Sequence, residues 1–102
     1  MPNYQKRSIQ RLFKAISNIK TPKECEAFFD DLCTIKEIQD MAQRFDTAIL
    51  LDEGLSYQKI AEKVGVSTAT ISRVNRCLTY GSNGYRIALD NLSETEKNDD
   101  GK

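Results

Sequence analysis

Thr68, Ala69 and Thr70 are three short side chains in a row, followed at helical spacing by Arg73 and Arg76. Methyl and hydroxyl groups of this size suit base-pair edges, through contact with a thymine methyl or bonds made directly or through water. Guanidinium groups behind them suit phosphates, which position a protein on a duplex without reporting sequence. The same stretch holds Ser56, Gln58, Lys59, Ser67 and Ser72, all able to donate to phosphate oxygens. The chemistry these types imply is recognition of double-stranded DNA. Thr68, Ala69 and Thr70 would read bases, while Ser56, Gln58, Lys59, Ser67, Ser72, Arg73 and Arg76 would hold the backbone.

Bond-making chemistry has little to work with. The chain contains no histidine, which removes Ser–His and Cys–His nucleophiles and the commoner zinc-ligand sets. Asp30–Asp31 and Asp52–Glu53 lie beside expected helix ends and read as solvated surface. Cys25, Cys33 and Cys77 lack CxxC spacing. They suit a reducing cytoplasm, with Cys25 and Cys33 packed as small hydrophobes. No enzyme activity, metal or cofactor is expected. No apolar run approaches the roughly 20 residues of a membrane span, and no signal-peptide core is visible. A cytoplasmic protein without a membrane partner is the expectation.

The elements that must position these side chains are helices. Tyr57–Arg76 has the spacing of a helix-turn-helix, with Ile60, Val64, Val66, Ile71 and Val74 as the apolar contacts between two short helices. Ala61 falls at their close approach. Gly65 occupies the turn, where positive φ is free of Cβ strain. Ser56 and Ser67 are the expected N-caps of the two helices. Upstream, Ile9, Leu12, Phe13, Ile16 and Ile19 repeat at the 3/4 spacing of one helical face. Thr21-Pro22-Lys23-Glu24 and Thr34-Ile35-Lys36-Glu37 are capping boxes opening a second helix and a long third one that ends at Gly54. A last short helix is expected from Tyr85 to about Leu92. The fold class is all-α, six helices with the helix-turn-helix as the fourth and fifth. One domain is expected over residues 1–92, followed by a disordered polar tail over 93–102.

The formal net charge is zero, yet the charges are segregated. Residues 1–23 carry six Lys/Arg and no acid, and residues 55–86 carry five against Glu62 alone. Phosphate binding needs local positive charge, and both segments have it. The basic N-terminus reads either as a solvated helix face or as an arm on the DNA backbone. The stripes at Ile9–Ile19 and Cys25–Cys33, with Phe13, Phe28, Phe29 and Phe45, hold more apolar surface than one chain of 102 residues hides. An intertwined dimer would bury it.

The long helix ending L-L-D-E-G-L-S, followed by I-A-E-K-V-G-V-S-T-A-T-I-S-R, resembles the Trp repressor superfamily. Within it, R-F-D-T-A-I-L-L-D-E-G-L-S-Y-Q-K-I-A and A-T-I-S-R-V-N-R-C-L resemble the YerC/YecD-type branch. The resemblance covers roughly residues 21–92. It implies a bacterial, all-helical, intertwined homodimer whose recognition helices enter successive major grooves of a palindromic operator. It also implies an effector pocket between the long helix and the recognition helix, to which Thr34, Arg44 and Arg73 would correspond. Val74 stands where the Trp repressor has a glycine, and Cys77 where it has a serine. A valine there overpacks the indole site, at about 1–3 kcal/mol, so tryptophan is not expected as corepressor and Val74 should pack as core. The reading is a sequence-specific DNA-binding transcriptional regulator, expected to act as a repressor. Two alternatives stay open: a protein-interaction module on a helix-turn-helix scaffold, and a regulator sensing a small molecule other than tryptophan.

Overall fold

The computed structural model describes the backbone of residues 3–100 and the side chains of residues 4–93. Among these residues lie six helices and no strand: α1 Asn3–Ser17, α2 Pro22–Leu32, α3 Ile35–Asp52, α4 Tyr57–Val64, α5 Thr68–Tyr80 and α6 Gly84–Asp100. Residues 1–92, read from the sequence as one domain, span two compact units that meet inside α3, one covering 1–38 and the other 39–102.

In the first unit, local hydrogen bonds start the helices. Thr21 Oγ1 accepts from the Glu24 N–H at 3.1 Å, with Pro22 at the first helical position. The return bond to Glu24 Oε1 comes from Lys20 N, at 3.3 Å, one residue before the cap. The α3 box is fully reciprocal: Glu37 N–H donates to Thr34 Oγ1 at 3.1 Å, and Thr34 N–H donates to Glu37 Oε1 at 2.8 Å. The Thr34 backbone N–H, helped by its side chain, holds the Glu37 carboxyl below the usual range. What this unit lacks is a core. No residue from Tyr4 to Ile38 is buried, although Cys25, Phe28, Phe29 and Cys33 are half-buried, and the two phenyl rings meet edge to face at 5.7 Å. Phe13 is 62% exposed and Ile35 76%.

The second unit does have a core. Ala48, Ile60, Ile71, Val74 and Leu89 are buried, each large aliphatic contributing about 1.5–3 kcal/mol on removal from water. Thr47, also buried, donates its hydroxyl to the Gln43 carbonyl at 2.8 Å and so leaves no orphaned polar group. The C-terminus of α3 closes on Gly54 at φ 88°, with Gly54 N–H donating to Leu51 O and Leu55 N–H to Leu50 O. That left-handed turn redirects the chain into α4. Helix α5 packs against both α4 and α6. Arg86 on α6 reaches back to Asp52 Oδ1 at 2.6 Å and to Asp90 Oδ1 at 3.6 Å. Expected to stop near Leu92, α6 runs on to Asp100, because no glycine or proline between Tyr85 and Asp100 interrupts it. Residues 101–102 of the expected polar tail lie outside the described residues.

Candidate nucleic-acid interface

The interface is built on α4, the Gly65 turn and α5. Ser56 Oγ caps α4 by accepting from Lys59 N–H at 3.3 Å. Gly65 sits at φ 82° and donates its N–H to the Ala61 carbonyl, so the chain leaves α4 in the left-handed conformation that glycine adopts without strain. Ser67 then caps α5, accepting from Thr70 N–H at 3.2 Å. Ile60, Ile71 and Val74, all buried, hold the pair together, with Val64, Val66 and Ala61 half-buried beside them. A small residue, a turn glycine and two serine caps thus fall where a helix-turn-helix needs them.

The outward side of this pair is polar or basic. Thr68 and Ala69, at the first two positions of α5, are exposed, as are Ser72, Arg73 and Arg76. Ser56, Gln58 and Lys59 are exposed at the start of α4, and Ser67 at the start of α5. No acid lies in the sequence of α5. Two helix N-termini with free N–H groups, cationic side chains and short hydroxyls form a surface suited to a phosphate-lined groove. Thr70 differs from its two neighbours. It is half-buried and also turned toward α3, and its Oγ1 accepts from the Ser67 hydroxyl at 3.1 Å.

Two adjoining clefts separate α3 from α5. One, about 290 Å³, is lined by Arg44, Thr70, Arg73, Val74, Cys77 and Tyr85. The other, about 360 Å³, brings Asp40, Gln43 and Arg44 opposite Ser67, Thr70 and Arg73. Four of the residues assigned to an effector pocket, Arg44, Arg73, Val74 and Cys77, therefore share one cavity wall. Val74 is only 2% exposed and packs as a core residue, while a space at the small end of ligand sites, ~300–1,000 Å³, persists beside it. Thr34 belongs to the N-terminal unit, where it caps α3. Tyr85 was not anticipated in this wall; it follows a Gly/Ser/Asn loop, and nothing local in the sequence marks it as facing α5. Among the described residues no group of three or more metal-ligating side chains gathers, and no helix is long and apolar enough to cross a membrane.

A family model described as Trp repressor protein matches residues 7–93. The chain is 53% identical over 90 residues to the protein YerC of Bacillus subtilis (strain 168), covering 88% of this chain and 86% of the relative. It is 38% identical over 78 residues to a Trp operon repressor homolog of Chlamydia caviae, covering 76% and 77% of the two chains. Its structure resembles the crystal structure of a TrpR-like protein from Eubacterium eligens ATCC 27750, with a TM-score of 0.81 and 48% identity over 85% of this chain and 90% of the other.

Proposed function

Because the chain belongs to the Trp repressor family, we propose that it is a sequence-specific DNA-binding transcriptional regulator that acts as a homodimer. The observation that carries this reading is the exposed head of α5, with Thr68 and Ala69 outermost, Arg73 and Arg76 behind them, and no acid on the helix. Thr68 and Ala69 meet base edges, Thr70 lies half-buried beside them and braces the first turn, and Ser56, Gln58, Lys59, Ser67, Ser72, Arg73 and Arg76 hold phosphates. The homodimer reading is supported by the first unit, in which no residue from Tyr4 to Ile38 is buried and large apolar side chains face solvent. Burial in a twofold interface would remove that surface from water.

Tryptophan is not the effector on this reading, because Val74 occupies the side of the cleft where an indole would stack. The cleft between Arg44 and Arg73 favours a second possibility, a smaller anionic effector that both guanidinium groups would bind. The deciding experiment maps the DNA bound by the full chain across a genome and then compares affinity for the recovered site with that for random duplex. A preference of about 10³-fold or more is the outcome for a specific regulator. Equal affinity would leave only an interaction module on a helix-turn-helix scaffold.

A further inference from the structure

The basic residues of α1 are not used by the recognition helix. Arg7, Arg11 and Lys14 follow one another at spacings of four and three residues. At 3.6 residues per turn they fall within an arc of about 60°, forming a stripe about 10 Å long. Ile9, Leu12 and Ile16 lie on roughly the opposite side of the helix. All three cations are exposed, whereas Leu12 and Ile16 are half-buried. None of the three forms an ion pair with a described acid. By contrast, Arg86 in the second unit is paired with both Asp52 and Asp90.

A solvated helix face normally interleaves both signs, because like charges one turn apart repel. Along α3, Lys36, Asp40 and Arg44 alternate in that way at four-residue spacing. On α1 the like-charged neighbours stand unrelieved, and no acid occurs anywhere in residues 1–23, while Lys20 and Lys23 add to the excess. Such a stripe matches a rigid polyanion presenting closely spaced charges, and duplex DNA carries one negative charge per about 1.7 Å of axis. A membrane surface fits less well. An interfacial helix must bury its apolar side in lipid, and on the homodimer reading that side of α1 is already covered by a second copy.

Resting on the DNA-binding reading of α5, we infer that the Arg7–Arg11–Lys14 face of α1 is a second phosphate-contacting surface, binding the duplex backbone without reading sequence. Guanidinium groups at positions 7 and 11 can each take a phosphate in bidentate fashion, and Lys14 adds a point charge. The apolar side of α1 stays available for the homodimer, so the two surfaces do not compete.

The test uses the full chain and measures its association constant against salt concentration on the mapped site and on a random duplex. Replacing Arg7, Arg11 and Lys14 together by Gln should lower the salt slope by about 2 to 3 units on both duplexes and leave their affinity ratio unchanged. Arg11→Gln alone should remove about one unit, which keeps the test valid if the triple variant folds poorly. Arg7→Lys with Arg11→Lys should restore the wild-type slope. Wild-type binding with an unchanged slope in both Gln variants overturns the α1 surface and leaves the α5 reading intact. A wild-type chain that binds neither duplex overturns both. If that chain instead sediments with phosphatidylserine vesicles, and the Gln variants do not, the face belongs to a membrane and the inference is wrong.

Discussion

Ser67 and Thr70 are joined twice at the head of α5. Thr70 N–H donates to Ser67 Oγ at 3.2 Å, and the Ser67 hydroxyl donates to Thr70 Oγ1 at 3.1 Å. The pair seals the first turn of α5 while leaving Thr68 and Ala69 outermost. Ser67→Ala should therefore destabilise the protein by about 1 kcal/mol, and Ser67→Gly by only a few tenths. Urea unfolding of the two variants beside wild type checks the order. Equal midpoints for Ala and wild type would mean that the cap carries no stability.

On the DNA-binding reading proposed above, the surface of α5 divides between bases and phosphates. The Thr68 hydroxyl takes part in no internal hydrogen bond among the described residues and is exposed. Thr68→Ala should lower affinity for the preferred site by about 1–3 kcal/mol per disturbed base pair and leave nonspecific binding intact. Arg76→Ala should weaken both alike and reduce the salt slope by about one unit. Titrations on specific and random duplexes separate the two effects. If both variants bind both duplexes as wild type does, α5 does not face DNA.

Exposed apolar side chains in α1 and at the start of α3 predict assembly. At micromolar concentration the protein should sediment as a dimer, and Phe13→Glu, at a side chain 62% exposed in the single chain, should shift it toward monomer. A monomeric wild-type mass would contradict the covering of this surface by a second copy.

Tryptophan should not stabilise the protein. A ligand at a hundred times its dissociation constant adds about 2.7 kcal/mol, worth on the order of 10 °C for a domain of this size. Melting curves with and without millimolar tryptophan should superimpose. A clear rise would show that Val74, although only 2% exposed, leaves room for an indole.

The Asp52–Arg86 contact gives a pH dependence with a definite sign. The hydrogen bond from Arg86 holds the Asp52 carboxyl below its usual value of 3.8, and partial desolvation opposes it. The folded pKa is depressed, so the contribution is present above the unfolded pKa and is lost as pH falls through the folded one. Both side chains are about two-fifths exposed, so the effect is small and screened by salt. Urea midpoints should favour wild type over Asp52→Asn near neutral pH, and the difference should shrink as pH falls below 3.8 and vanish once Asp52 is protonated in the folded state as well. A difference that persists unchanged in acid would assign it to packing.

The helices and the turn were legible because their signals are local. Thr21, Thr34, Ser56 and Ser67 act on N–H groups three residues away, and Gly54 and Gly65 act on their own φ. The sequence alone therefore determined the order of the helices and, Thr70 excepted, the outward side chains of the helix-turn-helix. Its apolar excess likewise shows in a first unit with no buried residue among those described. Tertiary structure decided the rest. That Arg44, Arg73 and Tyr85 share a cleft, that Thr70 is half-buried while Thr68 is free, and that Arg86 crosses to Asp52 depend on how helices some thirty to forty residues apart pack together. Side-chain types and spacing say which face of a helix is apolar, but only the packing of one helix on another says which residues on that face meet.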